Sequence, residues 1–520
     1  MKRGALAVAA AAFLAAALFP AGAVVDALAT RYHTAAGFRG EVLLGFQLLR
    51  GAVCLAAAFL AAVLLRPALF WPPVAPSAAP PAAWTSRERL FCAGAVLGAL
   101  LLRLVGAGQS LQDDEWFYYI DYVKHGPLVV LGRSVDLNNQ ILSNLVASLV
   151  LRVVPFSEVA YRLPSILAGA FAVLPTFALL RRWGGPRAAV LGALILAVHP
   201  FAVGWSQEAR SAGFIFLLAP AALLLYHRVR EGGSHRAWIA YVAVQTLAVW
   251  ANLLAAMFPA VLLALGLWER RTDRAFRARW LTAFAGIALA SLVLYALHLA
   301  IWFRLLGRYG EEPVPLSGRF PRVWIEWTLW TLPALLRALP VAAAAVGLAR
   351  LREPTSLLIL SSLLFGAAVV AAPFPLPARY ACFAFVPWIA LLAAGADAGR
   401  GRAVLAWACL ALFAADLAGS VSTGKLDTRW AAETVARLGR ADDRVGFVTE
   451  TVALEHYGPR LGLRPVRISK AVPEPPPWIC LSDLTSARPW MAELLRSGGF
   501  ERVAEKRAAD GRSVEVWRRR

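Results

Sequence analysis

Four short polar clusters interrupt a chain that is otherwise apolar, and their residue types are those of acid–base and phosphate chemistry. The first reads Gln112-Asp113-Asp114-Glu115-Trp116-Phe117-Tyr118-Tyr119-Ile120-Asp121. Three consecutive carboxylates beside a low-dielectric region repel one another and lose hydration. At least one pKa then rises unless a cation is near, which is how a general base is tuned. An acidic helix cap followed by interfacial aromatics is the alternative reading of the same residues. The second cluster, Tyr161-Arg162-Leu163-Pro164-Ser165, offers a guanidinium that either binds a phosphate oxygen or snorkels to headgroups. The third, Trp205-Ser206-Gln207-Glu208-Ala209-Arg210, is a polar hairpin between apolar segments, with a plain tight turn as its alternative. In the fourth, Pro377-Ala378-Arg379-Tyr380, Arg379 is either a phosphate clamp or an interfacial anchor.

The elements that carry these clusters must be membrane helices. Of the 520 residues 59% are hydrophobic and the mean hydropathy is +0.60, far above a soluble domain. Thirteen apolar stretches can be drawn, at 4–25, 41–65, 90–108, 163–180, 188–205, 212–227, 237–250, 253–268, 280–300, 330–349, 355–372, 381–397 and 403–420. Most approach the roughly 20 residues that span a bilayer. The net charge of +21 is explained by cytoplasmic loops and anionic headgroups without invoking nucleic acid. Five cysteines show neither CxxC nor metal spacing, so no disulfide framework is expected. Residues 1–25 read as a first span or as a cleavable signal, and the topology is the same either way.

With Lys2-Arg3 cytoplasmic, every alternate loop is net basic, from Arg66, Arg87 and Arg89 through Arg181, Arg182 and Arg187 to Arg400 and Arg402. This holds only if Trp250-Ala251-Asn252 separates two spans, so the stretch 237–268 is read as split. The other face then receives a large first loop, 109–162, the turn Trp205 to Ser211, the loop 301–329, the turn Pro373 to Tyr380 and the tail. Within the first loop, Asn138 to Val154 is amphipathic and is expected to lie along the interface. The expected architecture is an all-α polytopic membrane protein of about 13 helices. Two additional N-terminal helices occupy 1–88, a core occupies 89–420, and a small α/β domain at 425–520 has strands near Arg444 to Thr449, Pro465 to Ser469 and Ile479 to Ser482.

All four clusters therefore meet on one face, combining a carboxylate base with guanidinium groups that can neutralise a lipid-linked phosphate leaving group. That suits glycosyl transfer with inversion, the carboxylate deprotonating the acceptor hydroxyl. A transporter or flippase is the competing class, but it would bury its charges near mid-membrane and show two related halves. A catalytically dead scaffold is disfavoured by the intact acid and arginines.

At these residues the chain resembles the GT-C superfamily of polyprenyl-phosphate-sugar-dependent glycosyltransferases, in particular glycosyltransferase family 39 and the aminoarabinose lipid A transferases. The resemblance covers about residues 90–400. It rests on ordered motifs: Asp114-Glu115 with following aromatics, Asn138-Asn139-Gln140, Pro155 to Gly169, His199-Pro200, Ser206 to Arg210 and Arg379-Tyr380. It implies an inverting transferase of the plasma membrane, with the N-terminus cytoplasmic and the active site and C-terminal domain periplasmic or extracellular. Asp114 matches the family's catalytic base, with Glu115 supporting it and Asp113 leaving the register open by one. Arg162, Arg210 and Arg379 would serve the donor phosphate, while Gln207, Glu208, Tyr380 and Asn139 would line the pocket. The implied partners are a polyprenyl-phosphate sugar, a lipid, glycan or protein acceptor, and membrane lipids. No cofactor is required, and use of a divalent cation stays open because Asp113-Asp114-Glu115 supplies too few ligands for a metal cage. One departure is that Trp250-Ala251-Asn252 stands where family members often carry a histidine. The charge map predicts that a reporter fused after Ser420 is active only outside the cytoplasm; a cytoplasmic signal would overturn the thirteen-helix topology.

Overall fold

Apolar runs closed by capping or breaking residues become the helices of the chain. The computed structural model describes residues 11, 15, 39–72, 83–132, 140–306, 336, 338–350, 356–357, 382–394, 400–423, 427–447, 453–468, 475–482, 489–507 and 513–520. The expected spans 4–25 and, largely, 355–372 lie outside these. The others are occupied by helices Arg39–Leu65, Ser86–Leu104, Glu158–Phe171, Val173–Val198, Ala212–Arg230, His235–Ala251, Met257–Glu269, Arg274–Leu306, Ala338–Leu348, Cys382–Ala394 and Arg400–Thr423. Four described helical stretches are long and apolar enough to cross a membrane: Leu43–Leu65, Glu158–Val198, Ala212–Arg230 and Arg274–Leu299. Their ends follow local chemistry. Thr85 accepts a hydrogen bond from the Glu88 amide, and Ser157 accepts one from the Ala160 amide, each satisfying an otherwise unpaired N–H of the first turn.

Two breaks bear on the topology. Within Glu158–Val198 the chain bends at Gly185, where φ is 80° and a side chain would be strained. Leu180 packs directly on Gly192. A straight helix would hold those residues about 18 Å apart, so the chain doubles back at the Gly184-Gly185-Pro186 turn. The second break is at Asn252, which is extended and accepts a hydrogen bond from the Leu254 amide through its side chain. Glu269 then returns to Tyr226 and Arg230 at 2.8 Å, beside the start of the helix that began 17 residues before Asn252. The segment 235–269 thus runs out and back, as the split at Trp250 to Asn252 requires. Arg181–Glu88, Arg182–Glu231 and Arg230–Glu269 ion pairs gather at this end of the bundle.

Within the first loop, the segment expected to be amphipathic contains a helix at Ile141–Val150. Helix Ile141–Val150 buries Ser143, Asn144 and Ser148, whereas Leu149 and Val153 are exposed. Its polar residues face protein together with Ile141, Leu142 and Ala147, and Leu149 is left outward, where lipid accepts an apolar surface.

After residue 427 the described chain forms a five-stranded sheet in the order β2-β1-β3-β5-β4, with β1 Arg444–Phe447, β2 Arg464–Arg467, β3 Trp478–Ser482, β4 Phe500–Arg507 and β5 Ser513–Arg519. β1 runs parallel to β2 and β3, while the β4–β5 hairpin is antiparallel. Its core residues Val445, Phe447, Tyr457 and Trp478 are continuous with Leu111, Trp116 and Tyr161 of the bundle. His456, on helix Leu454–Arg460, sits among Trp116, Phe156, Tyr457 and Tyr119 with ring centroids 4.7, 5.0, 5.0 and 6.1 Å away.

Burial, with Arg460 and Arg429 opposing Glu158, pushes the His456 pKa down to about 4 from 6.5. The docked sheet therefore holds this imidazole neutral, and an undocked one binds a proton more readily. Docking is at full strength above about pH 6.5 and weakens as the pH falls toward about 4. Limited proteolysis of the full-length protein should release the C-terminal segment faster near pH 4.5 than near pH 7, and His456→Phe should flatten that dependence.

Candidate active site

The Asp113-Asp114-Glu115 run opens helix Asp113–Asp121, so successive carboxylates are turned about 100° apart. That rotation separates their environments. Glu115 points into the bundle and is fully buried. Its Oε1 accepts from Arg162 Nε and the Ala209 amide, both at 2.8 Å, and its Oε2 accepts from Arg162 Nη2 at 2.6 Å and the Gln112 amide at 3.0 Å. Asp114 faces the open side, with 44% of its side chain exposed.

Arg162 lies on helix Glu158–Phe171 and is 1% exposed. Besides its fork on Glu115, its Nη1 donates to the carbonyls of Ala107 at 2.8 Å and Gln109 at 2.7 Å, and its Nη2 donates to Ser110 at 3.0 Å. A guanidinium has five N–H donors. Here all five go to protein acceptors, so Arg162 binds together the loop 105–112 and the start of the acidic helix. Tyr161 adds a hydrogen bond from its hydroxyl to the Glu115 carbonyl at 3.1 Å.

Arg210 has a different setting. It ends the Gln207-Glu208-Ala209-Arg210 hairpin, is 3% exposed, and donates to Asp114 and to Tyr118 Oη, the latter at 3.3 Å. Its Nη1 is 3.5 Å from Glu208 Oε2, and its guanidinium carbon stands 5.5 Å over the Tyr118 ring. The hairpin is pinned at each end. Gln207 Nε2 donates to the carbonyls of Val105 at 2.5 Å and Arg103 at 3.2 Å, where helix Ser86–Leu104 terminates. Ser165 Oγ donates to the Arg210 carbonyl at 3.0 Å, and the Ser211 amide donates to Gln140 Oε1 at 2.5 Å. Gly213 lies so close to Ser165 that a Cβ would come 2.3 Å from the Ser165 carbonyl oxygen, which lets the two helices meet beneath Arg210.

Of the residues singled out from the sequence, Asp114, Glu115, Arg162, Gln207, Glu208 and Arg210 are drawn into one network. Arg379, Tyr380 and Asn139 lie outside the described residues, as does the side chain of Asp113. Three further residues belong to the network. Gln140 stands next to Asn139 and holds the Ser211 amide; Tyr118 stacks beneath Arg210; Arg103, fully buried, donates to the carbonyls of Leu196 and Ala197 at 3.1 Å and so caps the helix ahead of His199-Pro200. An arginine inside the apolar run 90–108 was the available sequence signal for Arg103. Among the described residues no three His, Cys, Asp or Glu side chains gather as a metal site.

The sequence pattern of the dolichyl-phosphate-mannose-protein mannosyltransferases matches residues 139–299, which hold Gln140, Arg162 and the Gln207 to Arg210 hairpin. No curated protein matches the chain. Among solved structures, the chain is similar to ArnT from Cupriavidus metallidurans in the apo state at 14% identity, covering 82% of this chain and 97% of that one, with a TM-score of 0.51. ArnT bound to undecaprenyl phosphate matches at 14% identity, 84% and 98% coverage and a TM-score of 0.49. The oligosaccharyltransferase of Archaeoglobus fulgidus, in complex with Zn and sulfate, matches at 14% identity, 72% and 62% coverage and a TM-score of 0.46. Residues 139–299 of this multi-pass membrane protein thus carry the sequence pattern of the dolichyl-phosphate-mannose-protein mannosyltransferases, and the chain shares the fold of ArnT.

Proposed function

We propose that the chain transfers a sugar from a polyprenyl phosphate to a hydroxyl of a lipid, glycan or protein acceptor, with inversion at the anomeric carbon, on the outer face of the plasma membrane. The single observation that carries this is the Asp114–Arg210 pair. A half-exposed carboxylate stands against a buried guanidinium at the end of the bundle opposite the basic turns. The matched family's name supports the donor class, since dolichyl phosphate mannose is a polyprenyl-phosphate sugar. Burial at helix ends on one face favours this over a translocation path.

In the reaction, Asp114 accepts the proton of the acceptor hydroxyl while that oxygen forms a bond to the anomeric carbon. The bond from that carbon to the phosphate oxygen breaks, and its electron pair leaves with polyprenyl phosphate. Arg210 donates to the departing phosphate, whose growing charge a desolvated guanidinium stabilises well. Arg379 is proposed as a second phosphate ligand. Arg162 and Glu115, whose hydrogen-bonding groups are engaged with each other and with the backbone, position the helix that carries Asp114. Gln207 and Gln140 hold the hairpin, and Glu208, with Asn139 and Tyr380, is proposed to shape the pocket.

The two acids make opposite predictions. Asp114→Asn should lower transfer from a polyprenyl-phosphate sugar by about 10²- to 10⁴-fold while the purified protein melts at an unchanged temperature; normal turnover would remove Asp114 from the role of base. Glu115→Gln strands the Arg162 charge in a buried site and should cost about 3–5 kcal/mol of stability, read as a lower melting temperature in detergent. A Glu115→Gln protein that melts normally yet turns over as poorly as Asp114→Asn would instead make Glu115 the base.

A further inference from the structure

The loop 105–112, which leads into the acidic helix, is held from two sides. From the bundle, Arg162 takes the carbonyls of Ala107, Gln109 and Ser110. From the opposite side, two residues of the C-terminal sheet unit take the groups in between. Tyr457 Oη accepts a hydrogen bond from the Leu111 amide at 2.9 Å and donates to Glu158 Oε1 at 3.2 Å. Arg429, on helix Thr428–Leu438, pairs with Glu158, donates to the Gly108 carbonyl at 3.3 Å and lies 5.2 Å over the Tyr457 ring. Tyr457 is 4% exposed and Glu158 14%, so their contact is shielded from solvent, with Arg429, 34% exposed, covering it from the edge. Glu158 opens the helix that carries Arg162, and Leu111 precedes Asp114 by three residues.

We infer that Tyr457 and Arg429 are positioning residues for sugar transfer, and that the C-terminal unit is the outer jaw of a clamp on the loop that aims Asp114. This rests on the reading of Asp114 as the base. The residues touched explain why a jaw is needed. A loop of eight residues with a left-handed Gly106 closes only short turns on itself, Ala107 N to Leu104 O and Gln109 N to Gly106 O, so side chains must fix the register of the rest. Arg162 alone grips one edge and leaves the Leu111 amide and Gly108 carbonyl to swing. Catalytic acids and bases lose rate steeply when displaced by a fraction of an ångström, whereas binding of the long donor lipid depends on contacts elsewhere.

The test uses the full-length protein in nanodiscs with a polyprenyl-phosphate sugar as donor. Tyr457→Phe keeps the ring in its aromatic surroundings and removes only the hydroxyl. Its kcat should fall about tenfold with the donor KM unchanged, and the melting temperature should hold. Hydrogen–deuterium exchange of the peptide spanning residues 106–115 should quicken about tenfold or more, a readout that does not depend on activity. Arg429→Gln should act in the same direction by both measures, and the double variant should be less than additive, since both side chains meet at Glu158. Unchanged exchange in the two single variants would overturn the clamp, whether or not turnover falls. Quickened exchange with unchanged kcat would show that the loop's register does not matter to the reaction and would overturn it too. Failure of the wild-type protein to use any polyprenyl-phosphate sugar is a separate result that strikes the donor assignment, and the exchange measurement still reports on the clamp.

Discussion

A guanidinium and a carboxylate shut away from solvent have no tolerable alternative to each other, and in this chain that constraint falls on Arg162 and Glu115. Separating them would leave two uncompensated charges in a low-dielectric site, so the pair forms only when the helices, the loop 105–112 and the hairpin 207–210 are all in place. The pair thereby makes the geometry of the site conditional on the fold. The Ala209 amide is one of Glu115's donors, which ties the position of the neighbouring Arg210 to the same charge. Five donors and four acceptor contacts are satisfied together, and a buried polar network satisfied to that degree specifies one arrangement.

Adjacent residues take opposite duties because a helix turns about 100° per residue. The acidic run supplies one carboxylate to the interior and the next to the open side, so one sequence feature contributes both a buried counter-ion and a half-exposed acid. The same division applies to the arginines. Arg162, with its donors engaged by main-chain and carboxylate oxygens, is a structural cation, whereas Arg210 meets side chains at the edge of the site. Guanidinium groups that look alike in the sequence differ in what they touch.

Much of this was readable from residue types alone. The basic turns mark one end of the bundle, three of the four polar clusters mark the other, and charge and apolar length place the reversals near Gly185 and Asn252. The saturation of Arg162 was not readable, because three of its acceptors are backbone carbonyls, which every residue possesses. Gln140 was overshadowed by Asn139 beside it, since two neighbouring amides cannot be told apart without the direction each one faces. Strands β4 and β5 escaped notice because Glu501, Arg502, Glu505 and Lys506 give β4 the look of a solvated loop; their pairing comes from a hairpin partner and not from apolar content. Tyr457 was the least visible, being separated from Leu111 by 346 residues and carried on a helix of seven.

The Asp114–Arg210 contact also bears on the order of events. Without donor, Arg210 donates to the Asp114 carboxylate. An arriving phosphate offers Arg210 more acceptor oxygens and more charge than one carboxylate, and a bidentate fork on phosphate is among the strong charge-assisted arrangements. On the proposed reading, donor binding would draw Arg210 toward the phosphate and away from Asp114. Here the buried Arg210 cation is paired with Asp114 and Glu208. Tyr118, under the guanidinium and within reach of it, keeps Arg210 over its ring through such a shift. The Glu115–Arg162 pair and the contacts of Tyr457 and Arg429 with the loop 105–112 anchor the helix that carries Asp114, so that on the proposed reading Arg210 can change partners while Asp114 keeps its place.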